Sequence, residues 1–400
     1  MSAAGDRPRL VFVNRVYRPS EAATAQLLAD LAESLAARGW PVDVVATGDD
    51  EGLVGGVRVH RAGPTRPRRG ILARAADDRA FHAAVRRRLG GVLAPGDVAV
   101  AMTDPPLLSV AVQDAAAARG ARTVHWIQDI YPDIVAAHAG RWLWPALAPL
   151  RWRRNRAWRA AAACAPVSAD MARHVLAQGV PAPRVSVLPN WAPRELDQPA
   201  AAAAVQAQRA RWGFGDRFVV AYSGNLGRVH EFATVLAAAA RLRDRTDIAF
   251  AVIGDGPRLP AVRAAAARAG LANVRFLPPQ PRAGLAASLA AADAHLVTLR
   301  PAFGSLVSPS KLAGAFAAGR PVLFVGPEGS AAAAVHGGCG SAFRPGDDDG
   351  LASTIAAWAG DPAQAARLGA AARAAYERAF TLAGAVARWE ALLRSVAAAT

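Results

Sequence analysis

Only one of the 47 basic residues in this 400-residue chain is a lysine, Lys311. It closes Ser308-Pro309-Ser310-Lys311, just ahead of an apolar run that reads as a helix over Leu312–Ala318. Elsewhere arginine has taken lysine's place. A lysine that survives points to a position where a compact ammonium serves and a planar guanidinium does not. Ser310 reads as an N-cap, and a cation in the first helical turn opposes the helix dipole unless an anion is bound nearby. That pattern suits contact with a phosphate or a charged leaving group. Ser223-Gly224-Asn225-Leu226-Gly227-Arg228 follows a β-rich run and leads into a helical one. Gly224 and Gly227 would let the backbone approach a ligand, Asn225 lies between them, and Arg228 adds a fork able to grip a diphosphate. Ile253-Gly254-Asp255-Gly256-Pro257 and Phe276-Leu277-Pro278-Pro279 follow the next two β-rich runs. The first is a tight strand-to-helix turn, read equally well as a ligand contact at Gly254, Asp255 and Gly256 or as a turn alone. The second offers backbone groups and the apolar edge of Leu277 to a nucleobase.

A second constellation lies in the first half. Val124-His125-Trp126-Ile127-Gln128-Asp129-Ile130-Tyr131-Pro132-Asp133 gathers His125, Asp129 and Asp133 at the end of a strand. Such groups position or deprotonate an acceptor hydroxyl, with Asp129 the leading candidate; otherwise they form a polar loop with capping carboxylates. The turn Arg18–Thr24 after the first strand lacks a G-x-G-x-x-G fingerprint, which argues against a dinucleotide cofactor. No spacing of His, Cys, Asp and Glu suggests a metal cage, so no metal and no cofactor is expected. The two cysteines, Cys164 and Cys339, have small apolar neighbours and read as inert.

The elements that must hold these residues alternate. Strands are expected at Leu10–Val13, Pro41–Ala46, Val57–His60, Val98–Met102, Thr123–Ile127, Ala165–Val167 and Arg184–Leu188, with helices between several of them. Pro189-Asn190-Trp191-Ala192-Pro193 interrupts the pattern, and an alanine- and glutamine-rich stretch follows. The alternation restarts at Phe218–Tyr222 and runs through Ile248–Ile253, Val274–Phe276, His295–Leu299, Pro321–Val325 and Ser341–Phe343. Strands spaced by helices mean βαβ units and parallel sheets. The fold class is therefore α/β, with two Rossmann-like domains facing across a cleft. The boundaries expected are 1–193, 194–380 with a linker over 194–216, and a last helix within 381–400. Ligand motifs should follow strands, because the carboxyl ends of strands line the crevice in open α/β sheets.

The net charge of +16 attracts polyanions: nucleic acid, anionic lipid or a phosphorylated small molecule. The segment 141–159 interleaves Arg141, Arg151, Arg153, Arg154, Arg156 and Arg159 with Trp142, Trp144, Trp152 and Trp158. That mix suits an anionic membrane interface, or a surface helix whose tryptophans face the core; stacking on single-stranded nucleic acid is the weaker alternative. With no signal peptide and no apolar stretch of spanning length, the protein is expected to be cytoplasmic, soluble or peripheral on the inner membrane face.

Taken together and in order, these motifs resemble retaining glycosyltransferases of the GT-B fold, family 4, in the branch that builds bacterial surface polysaccharides. The resemblance runs nearly end to end. It rests on Tyr17-Arg18-Pro19, Gln128–Asp133, Ser223–Arg228, Gly254–Pro257, Pro309-Ser310-Lys311-Leu312 and Ala317-Ala318-Gly319-Arg320-Pro321-Val322. It implies a UDP- or GDP-sugar donor on the second domain, a saccharide or lipid-linked saccharide acceptor on the first, and transfer with retention of configuration. By resemblance, Gly224, Gly227 and Arg228 form the diphosphate turn, and Lys311 is the lysine of the proline-serine-lysine motif. The last helix, apolar at Val386, Trp389, Leu392, Leu393 and Val396, would cross back to the first domain. One departure stands out: two glutamates common in the family are replaced by Leu306 and Gly314. Two other functions share the scaffold, a sugar-nucleotide epimerase and a catalytically degenerate membrane-associated scaffold.

Overall fold

A computed structural model of the chain describes residues 7–65, 70–330 and 338–398. The chain divides into two units. The first runs to Pro189 and takes in Ser305–Val307 and the segment from Leu382 onward; the second is Asn190–Gly304 with Ser308–Thr381.

In the first unit, short unbroken apolar runs such as Leu10–Val13 form strands buried on both faces, as parallel strands must be. They are β1 (Leu10–Val13), β2 (Val42–Ala46), β3 (Gly52–Val54), β4 (Val57–Arg61), β5 (Val98–Ala101), β6 (Arg122–Ile127) and β7 (Ala163–Pro166). The spatial order is β3-β4-β2-β1-β5-β6-β7, parallel except for β3 against β4. The second unit contains β8 (Phe218–Ser223), β9 (Ile248–Ile253), β10 (Val274–Leu277), β11 (Ala294–Thr298), β12 (Val322–Val325) and β13 (Gly340–Phe343). Their order is β10-β9-β8-β11-β12-β13, with every pairing parallel. In each sheet the order reverses beside the first strand, between β1 and β5 and between β8 and β11. Ligand crevices of open sheets form at such switch points.

The structure differs from the sequence reading in several places. The strand β3 was not expected, because its residues are all exposed and show no apolar alternation. Arg184–Leu188 forms no regular strand: it begins in a 3₁₀ turn at Ala182–Arg184, but it runs alongside β7 through the Cys164 to Val185 bridge and through the Ser186 and Leu188 amides, which donate to Cys164 O and Pro166 O at 3.0 Å. The stretch 194–216 is no free linker. Tyr376 donates its hydroxyl to Asp197 at 2.7 Å, the helix Ala202–Trp212 ends on a buried Trp212, and Arg209 ion-pairs with Asp293 at 3.0 Å. The final helix, Leu382–Ala398, groups with the first unit. There Trp389 packs on Trp126 with ring centroids 4.8 Å apart, and Glu390 accepts a hydrogen bond from the Trp40 indole at 3.0 Å. Among the described residues no helix is long and apolar enough to cross a membrane.

Candidate functional site

The motifs of the second unit converge at the switch point between β8 and β11. β8 ends at Ser223, and the chain then forms an irregular loop before the helix Ala233–Arg241. Arg228 therefore lies in the loop, ahead of the helix start. The first free amides of that helix, those of Ala233 and Thr234, are capped by the Glu231 carboxylate at 2.8 and 3.2 Å. An anion bound here must therefore be met by the loop and its side chains.

The glycine turn Gly254-Asp255-Gly256 shapes that loop. The Gly224 amide donates to Ile253 O at 2.9 Å, and the Leu226 amide donates to Asp255 O at 2.6 Å. A Cβ on Gly254 would overlap the Gly224 carbonyl, and one on Gly256 would lie 2.6 Å from the Leu226 amide nitrogen and 2.5 Å from the Asn225 side chain. These two glycines exist because two backbones meet. Asp255 is exposed and accepts from the Gly256 amide at 2.7 Å. Leu277, half-buried at the end of β10, accepts the Gly254 amide through its carbonyl at 3.0 Å. The Tyr222 hydroxyl donates to the Asn225 carbonyl at 2.8 Å, tying the loop to the buried ring below.

Lys311 lies across this loop. Its side chain passes so close to Gly224 that a Cβ there would stand 3.0 Å from Lys311 Cε. Its ammonium sits 5.0 Å from the Tyr222 ring centroid and 3.2 Å from His230 Nε2. Among the described residues no carboxylate pairs with it. Burial alone lowers its pKa to about 8. An ammonium taken from water without a counter-ion is an unfinished arrangement, which an anionic ligand would complete. Arg228 and Asn225 are exposed on the same loop, and among the described residues the Arg228 guanidinium has no partner. Gly227 is half-buried between them. Ser310 stands at the N-cap position of the helix Lys311–Ala317, but its backbone is already helical and its hydroxyl makes no capping bond. The capping role expected for it is not observed.

At the two glutamate positions, neither side chain can bind a hydroxyl. Leu306 is 7% exposed, and its carbonyl accepts from the Ile130 amide at 2.9 Å. Gly314 faces Leu289 and Leu196.

In the first unit the candidates separate. Asp129 is half-buried after β6, paired through its backbone with Val307. Burial, with the neighbouring charge of Asp104, raises its carboxyl to about 6. His125 is 1% exposed inside the sheet, and burial holds its pKa down at about 4. Asp133 is 2% exposed and bound to the equally buried Arg154, with Arg151 Nε at 3.2 Å. Arg154 also donates to the Tyr131 carbonyl at 3.0 Å and stacks 4.2 Å from the Trp158 ring. His125 and Asp133 are thus interior groups, and Asp129 is the one of the three that reaches solvent.

The sequence reading missed a cavity of about 420 Å³ at the first switch point, its wall mostly apolar with a few polar side chains. Arg15, Thr47, Thr65, Asp77, Phe81 and Asp104 are among its lining. Arg15 follows β1, and its amide donates to the Asp104 carbonyl at 2.8 Å. Its guanidinium is taken up by Asp77 at 2.7 Å, by Asp78, and by Asp104 at 3.3 Å. A guanidinium so surrounded is no phosphate site. Carboxylates, hydroxyls and a ring suit a neutral polyhydroxyl ligand. The signal available in sequence was Asn14-Arg15 directly after the first strand.

The tryptophans of 141–159 also divide. Trp158 is 2% exposed, and Trp144 carries Arg151 at 3.9 Å from its ring. Trp142 and Trp152 are 75% and 58% exposed. Arg156 lies 5.7 Å from the Trp152 ring, and Arg153 is exposed beside it.

Comparison with known proteins bears on both units. A Glycosyl transferase 4-like domain matches residues 23–191, and a Glycosyl transferases group 1 domain matches residues 205–375. The putative colanic acid biosynthesis glycosyl transferase WcaI of Escherichia coli (strain K12) is 35% identical over 154 residues, 38% of each chain. The probable glycosyltransferase WbjE of Pseudomonas aeruginosa is 29% identical over 238 residues, 59% of this chain and 58% of that protein. The matched part of the chain thus spans well under two thirds of either relative. Among solved structures, Anabaena HepE in complex with UDP superposes with a TM-score of 0.74 at 18% identity, covering 97% of this chain and 100% of that one. Sucrose-phosphate synthase from Thermosynechococcus elongatus gives 0.78 at 18% identity, covering 98% and 100%. With two Rossmann-like sheets of this topology, and with domain matches over both halves, the chain belongs to the GT-B glycosyltransferases that join a Glycosyl transferase 4-like domain to a group 1 domain.

Proposed function

We propose that this protein transfers a sugar from a UDP- or GDP-sugar to a saccharide or lipid-linked saccharide acceptor, with retention at the anomeric carbon, in building a cell-surface polysaccharide. One observation carries the reading: the Lys311 ammonium lies against the Gly224 loop, and among the described residues no carboxylate neutralises it. The structures of Anabaena HepE with UDP and with UDP-glucose support a nucleotide sugar as donor.

In this reading Gly224, Asn225 and Gly227 let the backbone approach the diphosphate, while Lys311 and Arg228 meet the charge that grows on it as the glycosidic bond breaks. Gly254, Asp255 and Gly256 hold the loop's shape, and Leu277 borders the base. The reading gives charge neutralisation to side chains and needs no resident metal. Asp129, with a pKa of about 6, suits accepting or orienting the acceptor's hydroxyl proton near neutral pH. The cavity beside Arg15 and Asp104 suits the acceptor's sugar. The exposed Trp142 and Trp152, with Arg153 and Arg156, suit docking on the anionic inner face of a membrane, where a lipid-linked acceptor resides.

The test is incubation of the full chain with a panel of UDP- and GDP-sugars and membrane lipid extract, with and without EDTA. Sugar transferred to the lipid fraction, unchanged by chelator, is expected. Free nucleotide with an epimerised sugar and no acceptor product would assign the epimerase reaction instead. No turnover together with no nucleotide binding would leave only the scaffold.

A further inference from the structure

His230 is not one of the motif residues, and the reaction proposed above does not use it. It closes the Gly224 loop and is 7% exposed. Its Nδ1 lies 2.8 Å from the carbonyl oxygen of Thr298, the last residue of β11. A carbonyl oxygen only accepts, so Nδ1 carries the ring proton and donates it. The neutral ring then has a bare lone pair at Nε2. The atom facing that lone pair, at 3.2 Å, is Lys311 Nζ. An ammonium only donates, so this bond runs from Lys311 to His230.

The imidazole is well fixed for such a role. Tyr222 meets it edge-on with ring centroids 5.5 Å apart, and Arg258 donates to the His230 carbonyl at 2.9 Å. Burial, with the positive charges of Lys311 and Arg258, holds the ring neutral, its pKa pushed down to about 4. Nε2 therefore remains an acceptor throughout the neutral range.

We infer that His230 is a positioning residue of the proposed donor site: its Nε2 lone pair anchors the Lys311 ammonium beside Gly224, so that a nucleoside diphosphate meets an oriented cation. The inference rests on the donor-binding reading above. A carboxylate at position 230 would also anchor the lysine, but it would cancel the charge a diphosphate needs. A neutral acceptor orients the ammonium and leaves its charge unspent. Of the three N–H donors, one is used on His230 and two remain for phosphate oxygens. A free lysine would have to give up the rotamer freedom of its four-carbon stem on binding, and the anchored one has already done so.

Two isosteres separate anchoring from mere packing. The Oε1 of His230→Gln can stand near the place of Nε2 and accept from Lys311. The Nδ2 of His230→Asn can stand near the place of Nδ1, keeping the Thr298 bond and losing the lysine. Calorimetric titration of the full chain with UDP and GDP is the readout. His230→Asn should weaken the tighter-binding nucleotide about tenfold, while His230→Gln stays within about threefold of the parent. In a Lys311→Ala background, His230→Asn should cost nothing further, because histidine acts through that lysine. A purely structural histidine, held by Thr298, would give the reverse order of Asn and Gln, and that result overturns the inference. So do losses from His230→Asn and Lys311→Ala that multiply. If His230→Asn fails to fold, His230→Gln alone decides: near-parental affinity supports the anchoring, and a tenfold loss refutes it. Failure of the donor reading looks different, because the unmodified chain would then bind neither nucleotide.

Discussion

The Gly254 α-carbon and the Gly224 carbonyl oxygen stand so close that no side chain fits between them. Gly254 also has a φ of 133°, which L-residues rarely adopt. The glycine turn after β9 therefore sets the height of the Gly224 loop after β8. Gly254→Ala should push the loop off its place beside Lys311, lower stability by about 2 kcal/mol and weaken nucleotide binding more than tenfold. Thermal melting and calorimetry check this. Unchanged nucleotide affinity would show that the loop's shape does not matter for binding.

The pKa of Lys311 gives two pH trends of opposite sign. In the folded chain burial brings it to about 8, from an ordinary 10.5. Its facing groups are the neutral His230 and the Tyr222 ring, with Arg258 beyond on the His230 carbonyl. A diphosphate needs the ammonium, so affinity for UDP should hold below pH 8 and fall as pH rises above it, by up to about tenfold per unit. Folding behaves the other way. Between about 8 and 10.5 the unfolded chain binds the extra proton, so this group's contribution to stability rises with pH across that window. Titrations with UDP from pH 6.5 to 9.5 test the first trend, and replacing Lys311 by Met should flatten it.

Asp133 is taken up by Arg154 and Arg151 in the interior of the first unit. Asp133→Ala would leave a buried guanidinium unpaired. The expected cost is about 3 kcal/mol in denaturant unfolding of that unit, with nucleotide affinity in the second unit unchanged. A variant of normal stability that had lost only turnover would return Asp133 to the list of catalytic groups.

The exposed pair Trp142 and Trp152, with Arg153 and Arg156, gives a separate prediction. The chain should float with phosphatidylglycerol vesicles and not with phosphatidylcholine alone. The combined variant Trp142→Ala, Trp152→Ala, Arg153→Gln, Arg156→Gln should lose most of that binding, each charge contributing about 1 kcal/mol near an anionic surface. Flotation of this variant equal to the parent would remove the segment as a docking face.

How far the sequence announced this molecule can be judged residue by residue. Buried parallel strands such as Val322–Val325 were legible because both faces are covered and the apolar run is unbroken. Lys311 was legible because composition isolates it. His230 was not, since its partners Thr298 and Lys311 lie 68 and 81 positions away and only the parallel pairing of β8 with β11 brings them together. The same reason hid Arg15 and its three carboxylates, two of them on the helix Ile71–Val92 and the third after β5. His125 and Asp133 were overread. His125 lies in a strand buried along nearly its whole length, and Asp133 opens the helix Asp133–Ala139 against the buried Arg154, neither of which the order of polar residues reveals. The tryptophans of 141–159 divided between surface and core because Trp152 and Trp158 lie on different faces of the helix Trp144–Ala160 while Trp142 stands ahead of it in a 3₁₀ turn, which sequence proximity does not separate.

The measurement that bears most directly on the whole account is calorimetric titration of UDP and GDP into the unmodified chain and into Lys311→Ala at pH 7. The account predicts saturable binding of one of the two by the parent, weakened by at least about tenfold in the variant while the fold and melting temperature are retained. Equal affinity in both proteins would contradict it, as would binding of neither nucleotide by the parent.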